Sequence, residues 1–179
     1  MAVKLILVRH ALPEFDDALP PHIWPLSESG RQAAAELADE IRARSIHTIV
    51  SSDEPKSSGT AEAIAGRLRL PWSTAPGLHE HRRGPMTWHG REARHRLLQQ
   101  FFDSPDELVF GEETASQALR RFSSAVAAVI QRTSAGPGAL CIVSHGTVMS
   151  LFAARHLNAA PYSIWAHLEC PDYVELEVK

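Results

Sequence analysis

Residues 3–10 read VKLILVRH. An apolar run this continuous, with valine and isoleucine in it, suits a strand covered on both faces of a sheet. It ends in Arg9 and His10, a guanidinium and an imidazole side by side. Charged and polar side chains are seldom buried without a partner. Their place at the tip of a buried strand therefore asks what chemistry needs both there.

Outward from that strand, the chain alternates. Pro13, Pro20, Pro21 and Pro25 make the next stretch a loop. PLSESGRQAAAELADEIRAR then begins a helix, with Ser27 or Ser29 as cap and Ala33, Leu37 and Ile41 at helical spacing. HTIVSS (47–52) predicts a second strand, and KSSGTAEAIAGRLRL (56–70) a second helix. WSTA (72–75) predicts a short third strand. SQALRRFSSAVAAVIQRT (116–133) is an amphipathic helix, ALCIVS (139–144) a buried strand and GTVMSLFAARHL (146–157) the helix after it. Residues 76–113 hold Pro, Gly, His and Arg and one helix, 91–102. They read as an excursion that forms a lid over a site. The tail, SIWAHLECPDYVELEVK, predicts two strands around Cys170-Pro171-Asp172.

This alternation predicts an α/β fold: three layers, with a mostly parallel central sheet flanked by helices on both faces. The 179 residues, 44% of them hydrophobic, form a single domain over 1–179 with a lid at 76–113. The formal net charge is -3, and no basic excess points to nucleic acid. The run at the N-terminus is too short for a signal peptide, and nothing approaches a membrane span. Cys141 and Cys170 read as reduced thiols, and the expected location is cytoplasmic.

Right-handed crossovers bring the carboxyl ends of parallel strands to one edge, where ligands bind. Four stretches meet there. Arg9-His10 ends the first strand. Ser51-Ser52 ends the second, with Lys56 just beyond. Leu78-His79-Glu80 follows the third, and Ser144-His145-Gly146 opens a helix. A phosphoryl group fits this set. Arg9 offers a planar fork to phosphate oxygens and Lys56 a point charge. The amides of the helix after His145 add partial positive charge. His10, when neutral, can attack phosphorus in line. A protonated His145 would stabilise the charge on the transferring oxygens. Glu80 is the carboxyl placed to protonate the leaving oxygen.

In their order and spacing, Arg9-His10, Ser51-Ser52 with Lys56 and Thr60-Ala61, Leu78-x-Glu80 and Ser144-His145-Gly146 resemble the histidine phosphatase superfamily. This is the branch that includes the cofactor-dependent phosphoglycerate mutases. The likeness spans residue 4 to about 157. It implies a phosphoglycerate mutase-like fold and a metal-independent phosphomonoester hydrolase with no cofactor. It also implies a phosphohistidine on His10, phosphate binding by Arg9, Lys56 and His145, and proton donation by Glu80. Three departures stand out. Ala11 replaces the family glycine, Lys56 replaces an arginine, and Gly84, Trp88 and Gly90 are spread wider than the family's Gly-x-Trp-x-Gly.

Two other functions share these residues: a phosphomutase that returns the phosphate to substrate, and a catalytically weak module that binds a phospho-ligand or phosphoprotein. The expected partner is a phosphorylated small molecule, with a phosphoprotein as the alternative. His79 and His81 share a strand face but lack a third ligand, so no metal site is assigned. The bland alternatives are surface roles: Lys56 as a solvated helix residue and Glu80 in a surface ion pair.

Overall fold

The computed structural model describes residues 2–84, 90–133 and 136–178. Five strands form one sheet: β1 (Val3–Arg9), β2 (Ile46–Ser51), β3 (Trp72–Thr74), β4 (Ala139–Ser144) and β5 (Asp172–Val178). Their spatial order is β3-β2-β4-β1-β5. The first four run parallel, while β5 pairs antiparallel with β1. The helices among the described residues are α1 (Glu28–Ile41), α2 (Pro55–Leu68), α3 (Arg91–Asp103), α4 (Ala115–Thr133), α5 (Gly146–Leu157) and α6 (Pro161–His167).

Side chains along β1 divide between two cores, as the twofold repeat of a strand requires. Leu5 and Leu7 join Val50, Leu140 and Ile142 beneath α3, α4, α5 and α6. Ile6 and Val8 join Ile49, Cys141 and Val143 beneath α1 and α2. This is the three-layer α/β arrangement expected from the sequence. It also explains why VKLILV lacks polar alternation after Lys4. The excursion contributes Leu78, Leu98, Phe101, Phe102 and Phe110 to the first core.

Local chemistry sets the helix ends. The Ser27 Oγ accepts the Gly30 amide at 3.0 Å, so Ser27 is the cap of α1. Pro55 and Pro161 occupy first-turn positions of α2 and α6, where a missing N–H costs nothing. Asn158, at φ +51, ends α5 in the left-handed region that asparagine tolerates. Gly138, at φ +115, lets β4 start beside β2. A Cβ there would lie 2.0 Å from the Ser45 carbonyl oxygen.

The tail differs from expectation. Its first half is α6, not a strand, and only its second half is β5. Ile164 and Trp165 look strand-like in isolation. Tertiary packing overrides that preference: Trp165 is buried in the α3–α5 core, where His95 meets its ring edge-on at 5.1 Å between centroids.

Candidate active site

The carboxyl ends of the parallel strands do bring the predicted stretches together. Arg9 pairs in register with Ser144, and Ser51 with Val143. The ladder continues past the strands. His10 N donates to Ser144 O and Ser52 N to Val143 O, both at 2.9 Å. Backbone hydrogen bonds thus fix His10, Ser52 and His145 relative to one another.

The His10 and His145 rings lie 5.1 Å apart, edge to face. His10 Nδ1 is 2.8 Å from the Ala11 carbonyl oxygen. A carbonyl accepts only, so Nδ1 carries the hydrogen and Nε2 keeps its lone pair. Burial first, then His145, Lys56 and Arg9, hold the His10 pKa well below that of an ordinary histidine; the Ala11 carbonyl opposes them. His10 is therefore neutral near pH 7, the form able to attack. Ala11 is fully buried, and its amide donates to Thr60 Oγ1 at 3.0 Å. The site accommodates the extra methyl of this departure.

Arg9 reaches the site edge, with Nη1 donating to Leu168 O at 2.6 Å. Gly146 packs against it: a Cβ there would lie 3.3 Å from Arg9 Nε. The glycine after His145 thus gives the guanidinium room. His145 is fully buried, and its Nε2 lies 3.0 Å from Ser52 Oγ. Its Nδ1 is buried with no hydrogen-bond partner. Burial, reinforced by Lys56 and Arg83, pushes its pKa well down against the pull of Glu80. His145 is neutral by itself, and an incoming anion would favour its protonation.

Lys56 is buried, at 6% exposure, which excludes a solvated surface role. Its Nζ donates to Pro21 O at 2.8 Å and pairs with Glu54 Oε2. Glu80 stands beside it through the backbone: Glu80 N donates to Glu54 Oε1 at 3.0 Å. The Glu80 carboxylate accepts from Arg83 Nη2 (3.0 Å), His81 N (2.8 Å) and Thr147 N (3.3 Å). Burial alone would raise its pKa, but Arg83 and the two amides outweigh it and hold the carboxyl well below the usual range. Arg83 also donates to Thr147 Oγ1 at 2.9 Å, so this guanidinium ties the Glu80 loop to α5.

These contacts yield a pH-dependent prediction. A lowered carboxylate pKa adds stability that is complete above the unfolded value, about 4.3, and is lost as pH falls toward the folded one. Arg83→Met removes the main attraction. The melting temperature of the parent should exceed that of Arg83→Met by a constant margin from about pH 5 to 7, and the margin should shrink below about pH 4. A margin that persists undiminished at pH 3 would refute this account of Glu80.

Several residues at the site escaped the sequence reading. Glu54 precedes a proline at a helix start and reads as a dipole-favoured surface acid. Arg121 sits one place from the apolar stripe of α4, yet it donates to Gly77 O and His79 O, both at 2.9 Å, and anchors the Glu80 loop. Only the Leu78-x-Glu80 pattern hinted that this loop needs an anchor. Ser144 Oγ adds a second one, donating to Leu78 O at 2.7 Å. Trp88 and most of the widened GPMTWHG stretch lie outside the described residues. His79 and His81 are bound separately to backbone carbonyls of Glu80 and Glu113. Among the described residues, no three His, Cys, Asp or Glu side chains gather as a metal ion would require. No helix of the described residues is long and apolar enough to cross a membrane.

Two strand-end histidines thus stand together at the carboxyl edge of the parallel strands of a three-layer α/β fold. The chain belongs to the histidine phosphatase superfamily, branch 1, whose family model matches residues 5–178. Solved structures share the fold at low identity. A mycobacterial glucosyl-3-phosphoglycerate phosphatase aligns with TM-score 0.77 and 19% identity, over 99% of this chain and 91% of that one. A phosphoserine phosphatase mutant from Entamoeba histolytica aligns with TM-score 0.69 and 21% identity, over 98% and 94%. An alpha-ribazole phosphatase from Shigella flexneri aligns with TM-score 0.64 and 20% identity, over 92% and 84%. A search of curated protein sequences returned no match.

Proposed function

We propose that this protein is a metal-independent phosphomonoester hydrolase that works through a phosphohistidine on His10. The observation that carries this reading is the state of His10. Its Nδ1 hydrogen is held by the Ala11 carbonyl, which leaves the lone pair on Nε2, and burial with the nearby His145, Lys56 and Arg9 favours the neutral ring. Family membership and the phosphatase activities named for the three structural neighbours support it.

In the reaction, the His10 Nε2 lone pair attacks phosphorus and the ester P–O bond breaks. Arg9, Lys56 and the amides at the start of α5 take up the phosphoryl charge. The leaving oxygen needs a proton, and Glu80 by itself is ionised. A phosphomonoester loses its second proton near pH ~6, so its monoanion supplies that proton. The proton passes through the Glu80 carboxyl to the leaving oxygen. Water then attacks the phosphohistidine, the P–Nε2 bond breaks to return the lone pair to His10, and Glu80 takes the proton from the water. His145 takes a proton from solvent as the dianionic phosphoryl group settles against its unpartnered Nδ1.

The neighbours' named substrates are phosphorylated small molecules, which favours a small-molecule substrate here. The test is phosphate release from a broad panel of small phosphomonoesters, with a chelator present throughout. Release from at least one ester, unaffected by chelator, is expected. Release that requires an added divalent ion would overturn the metal-independent mechanism.

A further inference from the structure

Glu54 is a carboxylate placed where a phosphate site has most reason to exclude one. It caps no amide of α2, although it stands at the cap position. Its side chain instead turns inward, 9% exposed. There Oε2 pairs with Lys56 Nζ, Oε1 accepts the Glu80 amide at 3.0 Å, and Oε1 lies 3.6 Å from His145 Nε2. An ammonium has three hydrogens. Two of those on Lys56 are committed, one to Glu54 and one to Pro21 O. The Lys56 charge is countered by a neighbour that is itself buried, in surroundings where water screens little.

We infer that Glu54 is a positioning residue that competes with the phosphoryl group for Lys56 and sets a weak hold on phosphate. The inference rests on the phosphate-site reading above. A phosphoryl oxygen meets one remaining N–H of an already neutralised ammonium. Full engagement of Lys56 requires its contact with Glu54 to loosen. The same carboxylate holds the Glu80 amide, so it links the release of phosphate to the residue that handles the proton. A lysine suits this role better than an arginine. Its compact ammonium swings between partners, whereas a planar fork would bind carboxylate and phosphate together.

The test measures inorganic phosphate binding by calorimetry near pH 7 for the parent, Arg9→Met, Glu54→Gln, Lys56→Met and the Glu54→Gln/Lys56→Met double variant. Arg9→Met should weaken binding. Glu54→Gln should tighten it about tenfold, the worth of one charge-assisted hydrogen bond. That gain should vanish in the Lys56→Met background. A merely structural Glu54 would give the opposite sign, because a disturbed site binds phosphate less well. If Glu54→Gln folds poorly, Glu54→Asn serves, since asparagine is a favoured residue at a helix cap. Equal or weaker binding by the neutral Glu54 variants, with Arg9→Met still defective, would overturn the role of Glu54 and leave the site reading intact. No loss in Arg9→Met would overturn the site reading itself.

Discussion

His10→Ala should lose hydrolysis of any phosphomonoester substrate by about 10⁴-fold or more, the scale seen when a covalent nucleophile is removed. The fold should survive. His10 is held mainly by its backbone, which donates to Ser144 O at 2.9 Å and accepts from Cys170 Sγ at 2.9 Å. Those bonds do not depend on the side chain. The melting temperature should therefore move by only about 5 °C or less. A parent enzyme quenched in alkali during turnover should carry acid-labile, alkali-stable phosphate, and the variant should carry none. Activity within about tenfold of the parent, in a protein that melts normally, would remove His10 from the nucleophile role. His145→Ala is informative alongside it. It deletes a group that stabilises charge but leaves the attacking atom, so labelled phosphate should still form, more slowly.

The largest effect on stability is expected at Phe101. Its ring is fully buried and lies 5.2 Å from Phe110, 5.6 Å from Phe102 and 4.4 Å from His81, centroid to centroid. Phe101→Ala leaves a cavity among side chains from α3 and the loop before α4 and should cost about 3–5 kcal/mol. For a chain of this size that lowers the melting temperature by about 10 °C. Urea unfolding of the parent and variant measures it directly. A cost under about 1 kcal/mol would mean that α3 is only loosely docked. The effect should reach the site as well. His81 follows Glu80, and its Nε2 is bonded to Glu113 O at 2.9 Å. Loss of the Phe101 ring frees one face of His81, so activity should fall at temperatures where the variant is still folded. Phe101→Leu, which refills most of the space, should recover most of both losses.

Much of this architecture is legible in the amino acids because period and burial coincide. ALCIVS and GTVMSLFAARHL have the same limits in the sequence reading and in the structure, 139–144 and 146–157. The first is buried throughout and the second over residues 146–154, and each is bounded by a sharp break in character. The tail was misread because Ile164 and Trp165 carry strand-like preferences, while the helix they form is set by packing against α3 and α5. Among the residues gathered at the candidate site, Arg9, His10, Lys56, Glu80 and His145 stand out in the sequence because their types are conspicuous at or just beyond strand ends. Glu54, Arg121 and Thr147 do not. A glutamate before a proline, an arginine in an amphipathic helix and a threonine in a helix's first turn are ordinary in those places. Only three-dimensional proximity distinguishes them. The Lys56 departure is a related case. Read alone, it suggests a weakened cation, and its meaning changes once Glu54 is seen beside it.

The position of β4 has a consequence for how the molecule comes into being. It lies between β1 and β2, yet about 90 residues follow β2 before it appears in the chain. During synthesis, the first two strands have no hydrogen-bonded neighbour in common until β4 emerges. VKLILV must wait as an exposed apolar segment, a stage at which chaperone capture or self-association competes with folding. Once β4 inserts, it pairs with both strands and brings His145 against His10 and Ser52 in the same event. Joining the two halves of the parallel sheet and bringing the candidate site's histidines together are therefore one step.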